Sequence, residues 1–380
     1  MKSGFSLSVG APDAPLHAAA HSHHPWPDVS RAAQLACWSD AARLLDRKWE
    51  HIFATILPTA QAHIARQLNL PHPERIAFAP NTHDFVARLF SCFDSSRPVR
   101  VLTTSSEFMS FQRQCARLEE DRLAVVTRIA TEPFATFTQR FAEAAAGASY
   151  DLIFFSHAFY DSGYVVEDLA SIVAAVRDEE SLVVIDGYHA FMAVPVDLAA
   201  IAKRSFYLAG GYKLAMAGEG VCFLYCPPGY GPRPRDTGWY ASFSALKDGK
   251  PAVAYGADGS RFLGATFDVS GLYRFNAVQD WLAKENLSVS TMLGEVRRLE
   301  RQFLDALTAT SRITPAQLML PDESKRARFL AFRTADADTI THELLARNII
   351  VDCRADRLRI GLGIYHEVAD VLALAQALAG

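Results

Sequence analysis

Lys213 lies in Ala209-Gly210-Gly211-Tyr212-Lys213-Leu214, 27 residues after Asp186, which closes the apolar run Leu182-Val183-Val184-Ile185. An amine kept out of water can condense with an aldehyde cofactor. A carboxylate at the end of a buried strand can hold a pyridine nitrogen protonated. Together they supply what pyridoxal 5'-phosphate (PLP) chemistry requires of a protein. Alone the pair carries little weight, because a lysine after Gly-Gly is ordinarily a solvated loop residue. Its weight comes from the segments that must position it.

Those segments alternate apolar strands with amphipathic helices. Strands are expected at Ile76–Ala79, Val99–Thr103, Ala124–Ile129, Asp151–Phe155, Leu182–Ile185, Ser205–Leu208 and Val221–Tyr225. Helices are expected from Thr82 to about Phe93, Glu107 to Leu118, Thr136 to Ala146 and Val166 to Val176, with a short one at Asp197–Ala202. Continuous apolar runs between helices mean strands buried on both faces, hence an α/β protein with a mixed, mostly parallel sheet. Such sheets bind ligands beyond the carboxyl ends of their strands. Asp186, Asn81-Thr82, Ser105–Glu107 and Ser156-His157 all fall at such ends.

From Pro227 to Phe267 the composition turns to Gly, Pro, Tyr and Trp, an irregular excursion of the kind that usually serves function or an interface. Helices follow from about Val269 to Leu282 and Thr291 to Ala309. Residues 285–380 read as a small α+β domain, with strands at Arg328–Phe332, Ile349–Val351 and Leu358–Ile360 and helices at Ile340–Ala346 and Glu367–Leu378. The expected division is therefore 1–40, an N-terminal segment; 41–284, a large domain; and 285–380, a small one.

Composition narrows the partners. A chain of 380 residues, 50% hydrophobic and 21% charged, can bury a core without disulfides. Its six cysteines are scattered; only Cys222 and Cys226 are close, and no second pair completes a zinc site, so free thiols are expected. A net charge of −4 leaves no footprint for nucleic acid. No apolar run approaches the roughly 20 residues of a membrane span, and Met1-Lys2-Ser3-Gly4-Phe5 lacks a signal-peptide stretch. A cytoplasmic protein without membrane partners is expected.

With these residues in view, the chain resembles fold-type I PLP-dependent enzymes of the class V aminotransferase group, and among them is most similar to kynureninase, from about residue 15 onward. The resemblance implies a PLP-dependent transferase fold of the aspartate aminotransferase type, PLP as cofactor and a small-molecule α-amino acid as substrate. In Asp186-Gly187-Tyr188-His189 it implies that Asp186 pairs with the pyridine nitrogen and that His189 stands beside the cofactor. In Gly211-Tyr212-Lys213 it makes Lys213 the covalent anchor and proton shuttle, with the Tyr212 hydroxyl on the phosphate. Asn81-Thr82-His83 opens a helix after a strand, and a helix N-terminus is a phosphate seat; Asn81 and Thr82 are the expected contacts. In Ser105-Ser106-Glu107-Phe108, Phe108 is expected to stack on the cofactor ring. Three residues on, Phe111 stands where kynureninase has an aspartate, a departure from that family's pattern.

Gly238-Trp239-Tyr240 and Gly264-Ala265-Thr266 resemble segments that reach the phosphate of a neighbouring subunit. Trp239 and Thr266 thus imply a homodimer with shared active sites. In Leu358-Arg359-Ile360-Gly361-Leu362, Arg359 is expected to grip the substrate carboxylate, which a guanidinium fork matches through two parallel hydrogen bonds. His17, His21, His23 and His24 cluster where the family lines its active-site mouth, and Ser22 and His23 are the expected substrate contacts, with no metal. Cysteine desulfurases share the fold and use a mobile cysteine; Cys353, the candidate, reads as the end of a strand. The favoured expectation is kynureninase-like hydrolytic cleavage. The alternatives are a class V aminotransferase and a C–S lyase or desulfurase-type β-elimination. A non-catalytic relative of the same fold would bind no cofactor.

Overall fold

The computed structural model describes residues 1–94, 96–229, 232–242 and 253–379. Its strands are β1 (Leu16–His17), β2 (Ile76–Ala79), β3 (Val99–Thr104), β4 (Ala124–Ile129), β5 (Leu152–Ser156), β6 (Leu182–Asp186), β7 (Ser205–Gly210), β8 (Cys222–Tyr225), β9 (Leu330–Arg333), β10 (Ile349–Ile350), β11 (Asp352–Arg354) and β12 (Arg357–Ile360). Seven form one sheet in the order β2-β8-β7-β6-β5-β3-β4. β8 runs antiparallel to both its neighbours, and the remaining pairings are parallel.

Side-chain alternation explains the unbroken apolar runs. In β5, Ile153 and Phe155 face a layer containing Phe137, Phe141 and Ile172, while Leu152 and Phe154 face a second layer containing Phe85, Leu89 and Phe111. Both faces are dry, so every position must be apolar. The edge strand β4 shows the contrast: Ala124 is buried and Val125 is 59% exposed.

β11, β12 and β9 form a separate antiparallel sheet. The helices Val289–Ala306 and Val368–Ala377 bury Leu299, Phe303, Val371 and Leu374 in the same core as Phe332 and Leu358. The first residues of the chain are tied to this sheet's surroundings. β1 pairs in parallel with β10, Ala19 is bridged to Gly361, and Lys2 Nζ lies 3.0 Å from the Asp370 carboxylate.

Two long helices, Val29–Leu44 and Leu57–Leu68, lie where the sequence reading placed no element. The first shows why: Leu35 and Trp38 are 56% and 70% exposed, so its large apolar residues do not mark its buried face. The short helix expected at Asp197–Ala202 does not form. Asp197 Oδ1 instead accepts the Ala199 N–H at 2.9 Å, a side-chain turn that competes with helix. The Pro227–Phe267 excursion lies partly outside the described residues. No helix among the described residues is long and apolar enough to cross a membrane.

The N-terminal strap and the segment after β12 hold His17, His24 and His366 around Tyr365, largely away from water. Burial pushes His17 and His366 down to about 4 and His24 to about 3. Unfolded, each returns to its ordinary value of 6.5, so the unfolded chain binds more protons as pH falls. Their neutral burial costs nothing above pH 6.5 and destabilises the fold progressively towards pH 4, at about 1.4 kcal/mol per pH unit for each histidine. Denaturant melts should show stability falling steeply below neutrality, and His24→Gln should lose less of it over the same interval.

Candidate active site

β6 and β7 are adjacent and parallel, with Asp186 opposite Leu208. Asp186 therefore ends its strand beside the turn that carries Lys213. Gly210 lets that turn pass: a Cβ there would come within 2.2 Å of the Tyr188 hydroxyl. Lys213 is 5% exposed. Its Nζ lies 2.7 Å from His189 Nε2 and 4.4, 5.3 and 5.7 Å from the ring centroids of Tyr188, Phe108 and Tyr212. Burial lowers the Lys213 amine from 10.5 to about 7, against the opposing pull of Asp186. Burial raises Asp186 in turn, offset in part by the Tyr188 N–H it accepts at 2.9 Å and by Lys213. His189 is driven well below its ordinary range, by burial first and then by the Lys213 and Arg359 charges.

A cavity of about 220 Å³ opens on these groups. Its wall brings together Lys213, Asp186, His189, Asn81, Thr82, Phe108 and Tyr212, seven of the residues expected from sequence. Asn81 caps the Thr82–Phe90 helix by accepting the Asp84 N–H at 2.9 Å, and Asn81, Thr82 and His83 at this helix start line the wall. Phe108 sits in extended conformation at the start of the Met109–Glu120 helix.

Arg359 is 2% exposed and close enough to Lys213 and His189 to depress both. It pairs with Asp352 and donates to the Tyr160 carbonyl. The remaining expected residues stand elsewhere. Trp239 is 41% exposed and packs on Tyr240, and Thr266 borders a different cavity beside Trp49 and Tyr273. Ser22 and His23 do not line the Lys213 cavity; His23 stacks on the outer side of Tyr212 at 5.0 Å. It is His21 that turns inward. It is fully buried, stacked on Phe329 at 4.4 Å, and its ring centroid lies 6.5 Å from that of His189. Among the described residues no group of three His, Cys, Asp or Glu side chains could hold a metal.

Several site residues escaped the sequence reading. Tyr188 floors the Lys213 amine. Glu107 accepts from Thr104 Oγ1 at 2.6 Å and from the Ser156 N–H and hydroxyl at 3.1 and 2.6 Å, locking the Phe108 turn to the end of β5. Its burial raises its pKa to about 8. Asp352 and Tyr160 hold Arg359. The available signal was position: Tyr188 lies between Asp186 and His189, and Glu107 directly precedes Phe108.

An Aminotransferase class-V family profile matches residues 40–374. The chain belongs to the class V aminotransferase family, a PLP-dependent class. Among solved structures it is similar to a lysine-to-alanine mutant of C-DES with glycine covalently linked to the PLP cofactor (18% identity, TM-score 0.81, all of both chains covered). It is also similar to the cystine C–S lyase C-DES in complex with its reaction product cysteine persulfide (17% identity, TM-score 0.78, covering 97% of this chain and 98% of that one). A third likeness is to the cysteine desulfurase CsdA of Escherichia coli (15% identity, TM-score 0.77, covering 98% and 96%). These likenesses establish the fold-type I architecture. No curated protein matches the chain.

The cavity fits PLP by its own chemistry. It offers an amine that is half unprotonated near pH 7, a buried carboxylate with no full cationic partner, an aromatic face and a capped helix start. Asp186→Asn removes the group that holds the Lys213 pKa up. NMR titration of reductively methylated lysines should therefore place Lys213 near pH 7 in the native chain and lower in the variant.

Proposed function

We propose that this chain is a PLP-dependent lyase that breaks the Cβ–S bond of an α-amino acid by β-elimination. The observation that carries the reading is the Lys213 amine: buried, near-neutral and 2.7 Å from His189, it can take a proton from Cα at neutral pH. The choice of reaction class is supported by two further points. The solved structures it resembles include a cystine C–S lyase and cysteine desulfurases. Phe111 is stacked on Phe154 at 3.8 Å and 10° within the apolar layer, so the position that is acidic in kynureninase has become core. The kynureninase-like reading draws no support from either.

When bound, PLP supplies the aldehyde that captures the substrate amine and the pyridinium that draws electrons from Cα. Asp186 keeps that nitrogen charged. The N-terminus of the Thr82–Phe90 helix, with Asn81, Thr82 and the Tyr212 hydroxyl, would hold the phosphate, and Phe108 would flank the ring. Arg359 binds the substrate carboxylate and so fixes which Cα bond stands near Lys213. Lys213 takes the Cα proton, His189 orients the amine, and the sulfur leaves Cβ with the bonding electron pair. A cysteine nucleophile on the protein is not part of this scheme. Cys222, the thiol in the wall of the Lys213 cavity, is pushed up to about 12 by burial, and Cys353 sits within β11. Residues 41–284 then carry the cofactor, and 285–380 with the first 40 residues carry the substrate end. Trp239 and Thr266 complete the phosphate site of a partner in a homodimer.

With L-cysteine the holoenzyme should release sulfide, pyruvate and ammonia, and with L-cystine cysteine persulfide, pyruvate and ammonia. Lys213→Ala should lower kcat at least ~100-fold, while Cys353→Ser should retain activity. Hydrolysis of kynurenine, or amino-group transfer to a keto acid without sulfur release, would replace this reading.

A further inference from the structure

Asp352 and Arg359 face each other across the antiparallel β11–β12 pair, in direct register. Arg359 Nη2 donates to Asp352 Oδ2, and Nη1 donates to the Tyr160 carbonyl. Arg359 Nε is buried and has no hydrogen-bond partner. Asp352 Oδ1 accepts from Arg354 Nη1 at 2.6 Å, and His21 Nε2 lies 3.7 Å from Oδ2. Two guanidiniums thus share one carboxylate, which leaves one positive charge unneutralised. That charge complements one further carboxylate.

We propose that Asp352 is a built-in competitor for the substrate at Arg359, its carboxylate standing in for the substrate's. On this proposal an α-amino acid enters by exchanging its own carboxylate for that of Asp352 on Arg359. This rests on the reading of Lys213 as the PLP lysine and of Arg359 as the carboxylate clamp. Arg354 makes the exchange feasible, because Asp352 keeps a cationic partner when Arg359 changes hands. The unpartnered Nε supplies a first foothold for the incoming anion, so Arg359 is never left bare and buried. An amine without a carboxylate has nothing to exchange and gains nothing from Arg359. Arg359 therefore selects α-amino acids over simple amines, and Asp352 lowers its affinity for the amino acids themselves.

The direction of one substitution decides the matter. Asp352→Asn keeps the shape and removes the competing charge. Binding of L-alanine and of ethylamine to the PLP-loaded protein would be followed by the change in cofactor absorbance, in the native chain and the variant. L-alanine should bind the variant about five-fold tighter or more, and ethylamine should be unchanged. Binding of propionate to the cofactor-free protein, followed by calorimetry, should tighten in the same sense. L-alanine and propionate binding that is weaker or unaltered would overturn the proposal; weaker binding would make Asp352 a positioning residue that only holds Arg359 in place. If the native protein shows no absorbance change with either amine, the PLP reading fails. The propionate comparison still judges Asp352 in that case. Should Asp352→Asn not fold, Asp352→Ser makes the same test of charge.

Discussion

Lys213 is held out of water with its amine over the rings of Tyr188, Phe108 and Tyr212 and against His189. A cation in that position is disfavoured, and the partial compensation from Asp186 leaves the amine titrating near 7. Every other part of the site serves or answers this desolvation. The adjacent strands β6 and β7 deliver Asp186 and the Lys213 turn to one edge of the sheet. Glu107 ties the Phe108 turn to β5 through three hydrogen bonds. The strap from His17 to His24 covers the far side, with the His24 N–H on the Tyr212 carbonyl at 3.0 Å.

The small sheet adds the second constraint. Its hairpin turns at Ala355-Asp356, with Ala355 in the left-handed region, and this fixes Asp352 opposite Arg359. A buried guanidinium must have an anion close by, and the protein supplies one from its own chain. Gly361 then leaves room for His21, because a Cβ there would lie 2.2 Å from His21 Nδ1. The N-terminal strap, the hairpin and the Lys213 turn thus meet around His21, His189 and Arg359.

Much of this was legible in the sequence. The parallel strands announce themselves because burial on both faces demands unbroken apolar runs, and the strand-end rule then gathers Asp186, Asn81 and the Phe108 turn. What stayed hidden depends on packing or register. The Val29–Leu44 helix exposes Leu35 and Trp38, so its apolar positions misstate its buried face. The partnership of Asp352 with Arg359 requires the hairpin register, which a turn without Asn-Gly or Asp-Gly does not declare. The inward member of the histidine group is His21 rather than His23 because the bridge between Ala19 and Gly361 sets the phase of the strap. Trp239 and Thr266 do not line the Lys213 cavity of the single chain.

The proposed covalent anchor for PLP is the buried Lys213 amine. The direct measurement is borohydride reduction of the PLP-loaded protein, followed by proteolysis and mass spectrometry of the modified peptide. The reduced cofactor should be found on Lys213 alone, with none incorporated into Lys213→Ala. Label on another lysine, or equal labelling of the variant, would contradict the account.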